Sequence, residues 1–218
     1  EHLATRTRLF QTAQYTEIAG TPELRSSLST HMNKVYNGNT SLNNVLISSG
    51  CNQAYCLTIM ALAKAGDEII LPEPYYFNHL MWLEMLGIKA KLMPFKPDQN
   101  GIPNPLDAER LLTKKTKAIV LISPNNPTGA IYPPDIITSF YELARDKEIA
   151  LIIDETYKDF LGSIQPHYLF QKKQWEETFI QIYSFSKVFS LTGYRVGSII
   201  AGDKTIKSIT KIMDTLAI

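Results

Sequence analysis

Short apolar runs alternate with longer segments of helical periodicity along the chain. The runs at 118–122 and 150–153 are apolar at every position, which is typical of strands buried on both faces of a sheet. The predicted strands are 45–48, 68–71, 89–93, 118–122, 150–153, 180–183 and 198–201, and the predicted helices are 53–64, 78–86, 107–112 and 134–146. This alternation predicts a layered α/β fold with a mostly parallel sheet.

Polar residues directly follow four of these strands. They occupy positions 48–52, 123–129, 154–157 and 184–187. Ligands of open α/β sheets bind beyond the carboxyl ends of the strands, where such groups meet at one edge. We therefore interpret the four polar segments as parts of one site.

Amino-acid composition excludes some functional classes of protein and is compatible with the predicted α/β fold. The 218 residues are 44% hydrophobic and 20% charged, with a net charge of +1, so neither a nucleic-acid surface nor a membrane surface is indicated. Cys51 and Cys56 are poorly spaced for a disulfide, and no metal-ligand pattern accompanies them. No signal peptide or membrane-spanning apolar run is visible, so we expect a reducing, cytoplasmic location.

The sequence at both chain ends favours the interpretation that these residues are a piece of a longer chain. The sequence opens in polar residues, and apolar positions within 205–218 recur at helical spacing without a C-cap. For this reason we expect little or no catalytic turnover from these residues alone.

Lys187 is the central candidate for covalent chemistry. It is flanked by Ser184 and Ser186, and Arg195 follows eight positions later. The amine can form a Schiff base with an aldehyde cofactor, and the hydroxyls and guanidinium can hold a phosphate. Gly50 begins the turn that leads into the predicted helix 53–64, and the free N–H groups at this helix start would also bind an anion. Taken alone, a lysine such as Lys187 is more often a surface lysine in a serine-rich turn, and Gly50 fits a plain tight turn equally well.

Other strand-end residues suit a flat, ring-shaped cofactor. Asp154 ends an apolar strand and could be the counter-charge of a protonated pyridine nitrogen, or else an N-cap or a structural ion pair. Tyr157 and Asn126 could bond a ring oxygen, although a packing aromatic and a turn residue are the alternatives. Tyr75 or Tyr76 could stack on the ring, and either could instead be a core aromatic.

Together these residues resemble the fold-type I pyridoxal-phosphate enzymes, in particular the class I/II aminotransferases. The matching segments are Tyr15 to Arg25, Ser49 to Ala54, Pro72 to Tyr76, Asn125 to Gly129, Asp154 to Tyr157 and Ser184 to Gly197. The resemblance implies a three-layer sandwich with a mostly parallel central sheet. It implies that residues 1–218 are the large cofactor-binding domain, with 1–20 as an N-terminal segment. The C-terminal small domain, with the arginine that binds the substrate carboxylate, is expected to be absent.

The resemblance also implies a role for each candidate residue. Lys187 holds pyridoxal phosphate as an aldimine and then moves a proton, Asp154 pairs with the ring nitrogen, and Tyr76 stacks on the ring. Asn126 and Tyr157 bond the ring hydroxyl oxygen. The residues implied around the phosphate are Gly50, Cys51, Asn52, Ser184, Ser186 and Arg195. Tyr15 matches a tyrosine that reaches the phosphate of a neighbouring subunit, which implies a homodimer. A cis peptide at Asn126-Pro127 and no bound metal are expected.

The predicted activity is the transfer of an amino group between an amino acid and a 2-oxo acid. A β-lyase or an aminocyclopropane-carboxylate-synthase-like enzyme would use the same cofactor residues. The aminotransferase-like domain of a transcription regulator is a further alternative.

Overall fold

The computed structural model describes residues 15–162 and 164–216. Its helices are α1 (Pro22–Tyr36), α2 (Gly50–Leu62), α3 (Phe77–Met85), α4 (Pro105–Leu111), α5 (Pro134–Asp146) and α6 (Asp203–Leu216). Its strands are β1 (Val45–Ser48), β2 (Glu68–Pro72), β3 (Lys89–Met93), β4 (Thr116–Ile122), β5 (Ala150–Asp154), β6 (Phe179–Ser184) and β7 (Gly197–Ile200). Short 3₁₀ helices lie at Leu42–Asn44, Pro97–Gln99, Lys158–Leu161, Leu169–Gln171, Trp175–Glu177 and Thr192–Tyr194.

The strands form one sheet in the order β1-β7-β6-β5-β4-β2-β3. The pairs β2–β3, β2–β4, β4–β5 and β5–β6 are parallel, whereas β7 is antiparallel to both β1 and β6. The predicted mostly parallel α/β fold is therefore confirmed. Because only β7 is reversed, its first residue lies at the same edge as the last residues of its neighbours, where Ser184 and Ser48 both pair with Gly197.

Two apolar cores cover the two faces of the sheet. One contains side chains of α1, α4 and α5, and the other contains side chains of α2, α3 and α6. Alternate residues of a central strand enter opposite cores, as Leu151 and Ile152 of β5 do. Burial on both faces explains why the central strands are apolar at every position. It also makes the domain the three-layer sandwich that was predicted.

Most elements lie where the apolar pattern predicts them, and β1, β3 and α5 have the predicted bounds. Helix α2 begins at Gly50, three residues before the predicted start. Helix α1 was not predicted, although Leu28, Met32 and Tyr36 recur at helical spacing and are buried. Its N-cap is Thr21, whose hydroxyl accepts a hydrogen bond from Leu24 N, and Pro22 opens its first turn.

Three X-Pro bonds are cis, including Asn126-Pro127 as predicted. The others are Glu73-Pro74 and Ser123-Pro124. Across residues 15–162 and 164–216, no helix is long and apolar enough to cross a membrane.

Candidate active site

A pocket lies at the edge of the sheet where the parallel strands end. It draws side chains from the segments after β4, β5 and β6 and from the first turn of α2. Its lining residues are Cys51, Asn52, Tyr76, His79, Ile122, Asn126, Asp154, Thr156, Tyr157, Ser184, Ser186, Lys187, Thr192 and Arg195. The four polar segments that were expected to form one site therefore do meet.

The first turn of α2 and Arg195 form one side of this pocket. A Cβ on Gly50, whose φ is +77°, would lie 2.4 Å from Arg195 Nη2, so only glycine leaves the guanidinium this space. A Cβ on Gly197 would lie 2.6 Å from Cys51 N. Two glycines thus bring the start of a helix, with the N–H groups that the helix itself leaves unpaired, against a permanent cation. Both features bind anions.

Serine and threonine residues surround the same guanidinium. Arg195 Nη1 donates to the Thr192 carbonyl at 3.0 Å and to Ser186 Oγ at 3.5 Å. Ser184 Oγ accepts from Ser186 N at 3.2 Å. The hydroxyls and the arginine form a cradle that suits a phosphate group.

Asp154 is buried at the floor of the pocket and pairs with His79. His79 Nε2 lies 3.3 Å from Asp154 Oδ2, and Thr156 N donates to Asp154 Oδ1 at 3.0 Å. Burial acts to raise the pKa of Asp154, but the bonds from His79 and Thr156 bring it below its ordinary value. The carboxylate therefore keeps a negative charge inside the protein.

His79 was missed in the sequence. It lies on the first turn of α3, three residues after Tyr76, and its ring stacks on Tyr55 with centroids 4.0 Å apart. Its Nδ1 is buried and has no hydrogen-bond partner among the described residues. A signal existed, because a carboxylate that ends an apolar strand needs a partner and the chain has only four histidines. Thr156 and Thr192 were also not predicted as lining residues.

Lys187 is exposed at the mouth of the pocket, and its Nζ lies 6.0 Å from the centre of the Tyr157 ring. Within residues 15–162 and 164–216, Nζ makes neither a hydrogen bond nor an ion pair. The side chains of Asn126 and Tyr157 also line the pocket without hydrogen bonds to other described residues. All three are therefore available to a ligand.

Of the two adjacent tyrosines, Tyr76 lines the pocket and Tyr75 does not. The Tyr76 ring meets His79 edge-on, with centroids 5.5 Å apart, so it lies on the Asp154 side of the pocket. Gly50 adjoins the pocket through its contact with Arg195. Tyr15 does not line it and is 89% exposed.

The lining residues fit pyridoxal phosphate. The amine of Lys187 suits an aldehyde, and the buried anion of Asp154 suits a protonated ring nitrogen. The cradle at Arg195 suits a phosphate. Any residue other than glycine at position 50 would place a side chain in this space. Among the described residues, no group of His, Cys, Asp and Glu could hold a metal ion.

The model of the family "Aminotransferase class I and II" matches residues 7–218. The chain belongs to the class I and II aminotransferases. This aminotransferase chain is 33% identical to the aspartate aminotransferase of Pyrococcus horikoshii over 198 residues, which cover 91% of this chain and 50% of that protein. It is 31% identical to the bifunctional aspartate aminotransferase and glutamate/aspartate-prephenate aminotransferase of Petunia hybrida, over 91% of this chain and 42% of that protein.

Solved aminotransferase structures have the same fold. A mutant aspartate aminotransferase of Thermus thermophilus superposes with a TM-score of 0.90 at 27% identity, over 98% of this chain and 56% of that one. The aspartate aminotransferase of Thermotoga maritima superposes with a TM-score of 0.86 at 27% identity, over 98% and 57%. This aminotransferase chain spans about half the length of the curated relatives it matches.

Proposed function

We propose that the protein transfers an amino group between an amino acid and a 2-oxo acid with pyridoxal phosphate as its cofactor. The observation that carries this proposal is the meeting of Lys187, Asp154 and Arg195 in one pocket. Similar proteins bear the names of aminotransferases, which favours transamination over a β-lyase or a regulatory domain.

Pyridoxal phosphate supplies, when bound, an aldehyde and an electron-withdrawing ring. In our proposal Lys187 holds the aldehyde end, and Asp154 keeps its negative charge beside the ring nitrogen. Tyr76 packs on the ring, while Asn126 and Tyr157 donate to its hydroxyl oxygen. Arg195 and the first turn of α2 would hold the phosphate, with the remaining partners Gly50, Cys51, Asn52, Ser184 and Ser186.

Lys187 is also the proposed base. No other lining residue carries an amine, and Nζ has no partner that would immobilise it among the described residues. When the substrate amine replaces it, Nζ can accept the proton from the substrate α-carbon. Asp154 stays ionised throughout because His79 and Thr156 bond both of its oxygens.

The half-reaction separates the proposed activity from its nearest alternative. The whole protein, loaded with pyridoxal phosphate and mixed with an amino acid alone, should release one equivalent of 2-oxo acid per site and stop. Continued release of a 2-oxo acid together with ammonia would show a lyase instead. A protein that binds pyridoxal phosphate but releases neither product would contradict both activities.

We propose further that two copies share their sites, with Tyr15 of each reaching the other's phosphate. Aromatic side chains within two positions of pocket residues in sequence support a second copy at the pocket mouth, since Phe77 is 60%, Phe189 51% and Tyr194 52% exposed. Mixing Tyr15→Phe and Lys187→Ala proteins tests this. If Tyr15 acts across the interface, each mixed dimer has one intact site, and that site regains wild-type phosphate affinity. If mixing restores nothing, Tyr15 does not act in this way.

The location is part of the same proposal. Cys51 and Cys56 are both free thiols, which suits the reducing cytoplasm.

A further inference from the structure

A second buried carboxylate, Glu155, lies beside the candidate site on the α1 side of the sheet. Its side chain is fully buried, and Oε2 accepts hydrogen bonds from three side chains. Tyr36 donates to it at 2.8 Å, His167 Nε2 lies at 3.3 Å, and Gln181 Nε2 is the third donor. One oxygen therefore joins the end of α1, the end of β5, strand β6 and the loop before the Leu169–Gln171 turn.

The surrounding hydrogen bonds fix the protons of this cluster. Leu169 N donates to His167 Nδ1 at 3.2 Å, so Nδ1 is the acceptor of the ring and Nε2 is the nitrogen that donates to Glu155. Gln181 Nε2 donates to the Tyr36 hydroxyl at 2.9 Å, which leaves Tyr36 to donate to Glu155. Three donors therefore converge on the Glu155 carboxylate.

Glu155 is the charged member of the cluster. A proton on Oε1 would have no acceptor, because that atom has no partner among the described residues. Burial acts to raise the pKa of Glu155, but the donors from His167, Gln181 and Tyr36 hold it below its ordinary value. A buried anion held by three donors constrains all of them, because each donor would be left unsatisfied by its loss.

This anion lies where the site is assembled. Glu155 directly follows Asp154, and its N–H donates to the Ile182 carbonyl at 2.9 Å. Gln181 lies on β6, three residues before Ser184. The carboxylate thus bonds a side chain of β6 while its own backbone continues β5.

We infer that Glu155 is a positioning residue whose carboxylate holds the ends of β5 and β6 at the spacing that cofactor binding by Asp154 and Lys187 requires. The inference rests on the proposed function. It assigns Glu155 no contact with cofactor or substrate. Its effect passes through the backbone to both strand ends.

The test compares Glu155→Gln and Tyr36→Phe with the control Glu142→Gln. Glu142 lies on α5 and pairs at the surface with Lys172 at 2.9 Å. In the whole protein, the dissociation constant of pyridoxal phosphate is measured by absorbance titration, well below the melting temperature of each variant. The pH midpoint of the visible absorbance band is recorded as well, because a loss of stability alone does not move it.

Glu155→Gln should weaken cofactor binding about tenfold, or about 1.4 kcal/mol, and shift the pH midpoint. Tyr36→Phe should act in the same direction to a smaller extent, and the double variant should be no worse than Glu155→Gln alone, because the two residues act through one oxygen. Glu142→Gln should bind within about twofold of wild type, because ion pairs at the protein surface contribute little.

Two results would overturn the inference alone. Glu155→Gln could lower the melting temperature yet leave the dissociation constant and the pH midpoint unchanged, which would make Glu155 a purely structural residue. If that variant does not fold, an unchanged dissociation constant in Tyr36→Phe decides against the inference. A wild-type protein that binds no pyridoxal phosphate would instead refute the proposed function, and the inference with it.

Discussion

Gly197→Ala tests the contact between the phosphate cradle and the sheet. Gly197 is the first residue of β7, and its register with Ser48 and Ser184 fixes its position. An added Cβ would lie 2.4 Å from Gly50 C, 2.6 Å from Cys51 N and 2.8 Å from Tyr183 O. All three are backbone atoms, so no side-chain rotation relieves the clash. The first turn of α2 has to move away from Arg195 and the strand.

The size of the effect follows from that overlap. Overpacking of this kind costs about 1–3 kcal/mol. For a chain of about this size each kcal/mol lowers the melting temperature by about 2–4 °C, so a decrease of about 2–12 °C is expected. Affinity for pyridoxal phosphate should fall as well, because the displaced atoms include N–H groups of the α2 first turn.

Gly193→Ala is the matched control for Gly197→Ala. A Cβ there meets nothing within 4 Å, and Gly193 lies in the exposed Thr192–Tyr194 turn. Gly193→Ala should change the free energy of unfolding by no more than about 0.5 kcal/mol. Thermal melting and cofactor titration of both variants give the answer. If Gly197→Ala melts and binds like Gly193→Ala, the close approach of β7 and α2 does not constrain the cradle.

Three further predictions follow from single side chains. In His79→Phe, Asp154 loses a hydrogen-bond donor while it stays buried, so the pKa of Asp154 rises. On acidification, the variant should therefore lose cofactor binding at a higher pH than the wild type does. Identical pH profiles would contradict this. Lys187→Ala should abolish the visible band of bound pyridoxal phosphate, and a band that persisted would refute the role of Lys187. Without cofactor, its melting temperature should hardly differ from that of the wild type, because the side chain is exposed. Burial raises the pKa of Cys56 to about 11, so in a Cys51→Ser background at pH 8 only about one thiol in a thousand is ionised. Thiol reagents should therefore modify Cys56 slowly at pH 8, and the rate should increase at higher pH. A rate at pH 8 equal to that of the unfolded protein would contradict this.

Much of the fold could be predicted because the central strands carry an unambiguous pattern. Ala150–Asp154 is apolar until its last residue, and only a strand covered on both faces needs that composition. Helix α1 is less evident because Arg25 and Ser29 share its buried face with Leu28 and Met32. Arg25 is buried there because Nε donates to the Val45 carbonyl at 3.0 Å, a contact that local sequence does not reveal.

The partners of buried charges could not be predicted in the same way. His79 and Asp154 are 75 positions apart in the sequence and 3.3 Å apart in the structure. Tyr36, which bonds Glu155, is 119 positions away from it in the sequence, whereas its other partner His167 is 12 positions away. A buried charge in the sequence indicates that a partner is required, but it does not indicate which donor of the chain is that partner.

The sequence alone determined the layered fold, the set of strand-end groups and the lysine with its serine and arginine neighbours. These features depend on local order, because apolar period and turn residues act over a few positions. The tertiary structure decided which groups meet. The reversal of β7 brings Gly197 to the edge where the parallel strands end, and two glycines allow Arg195 to approach the start of α2. Packing across the sheet assigns His79 to Asp154 and Tyr36 to Glu155, because hydrogen bonds depend on distance in space and not on separation along the chain.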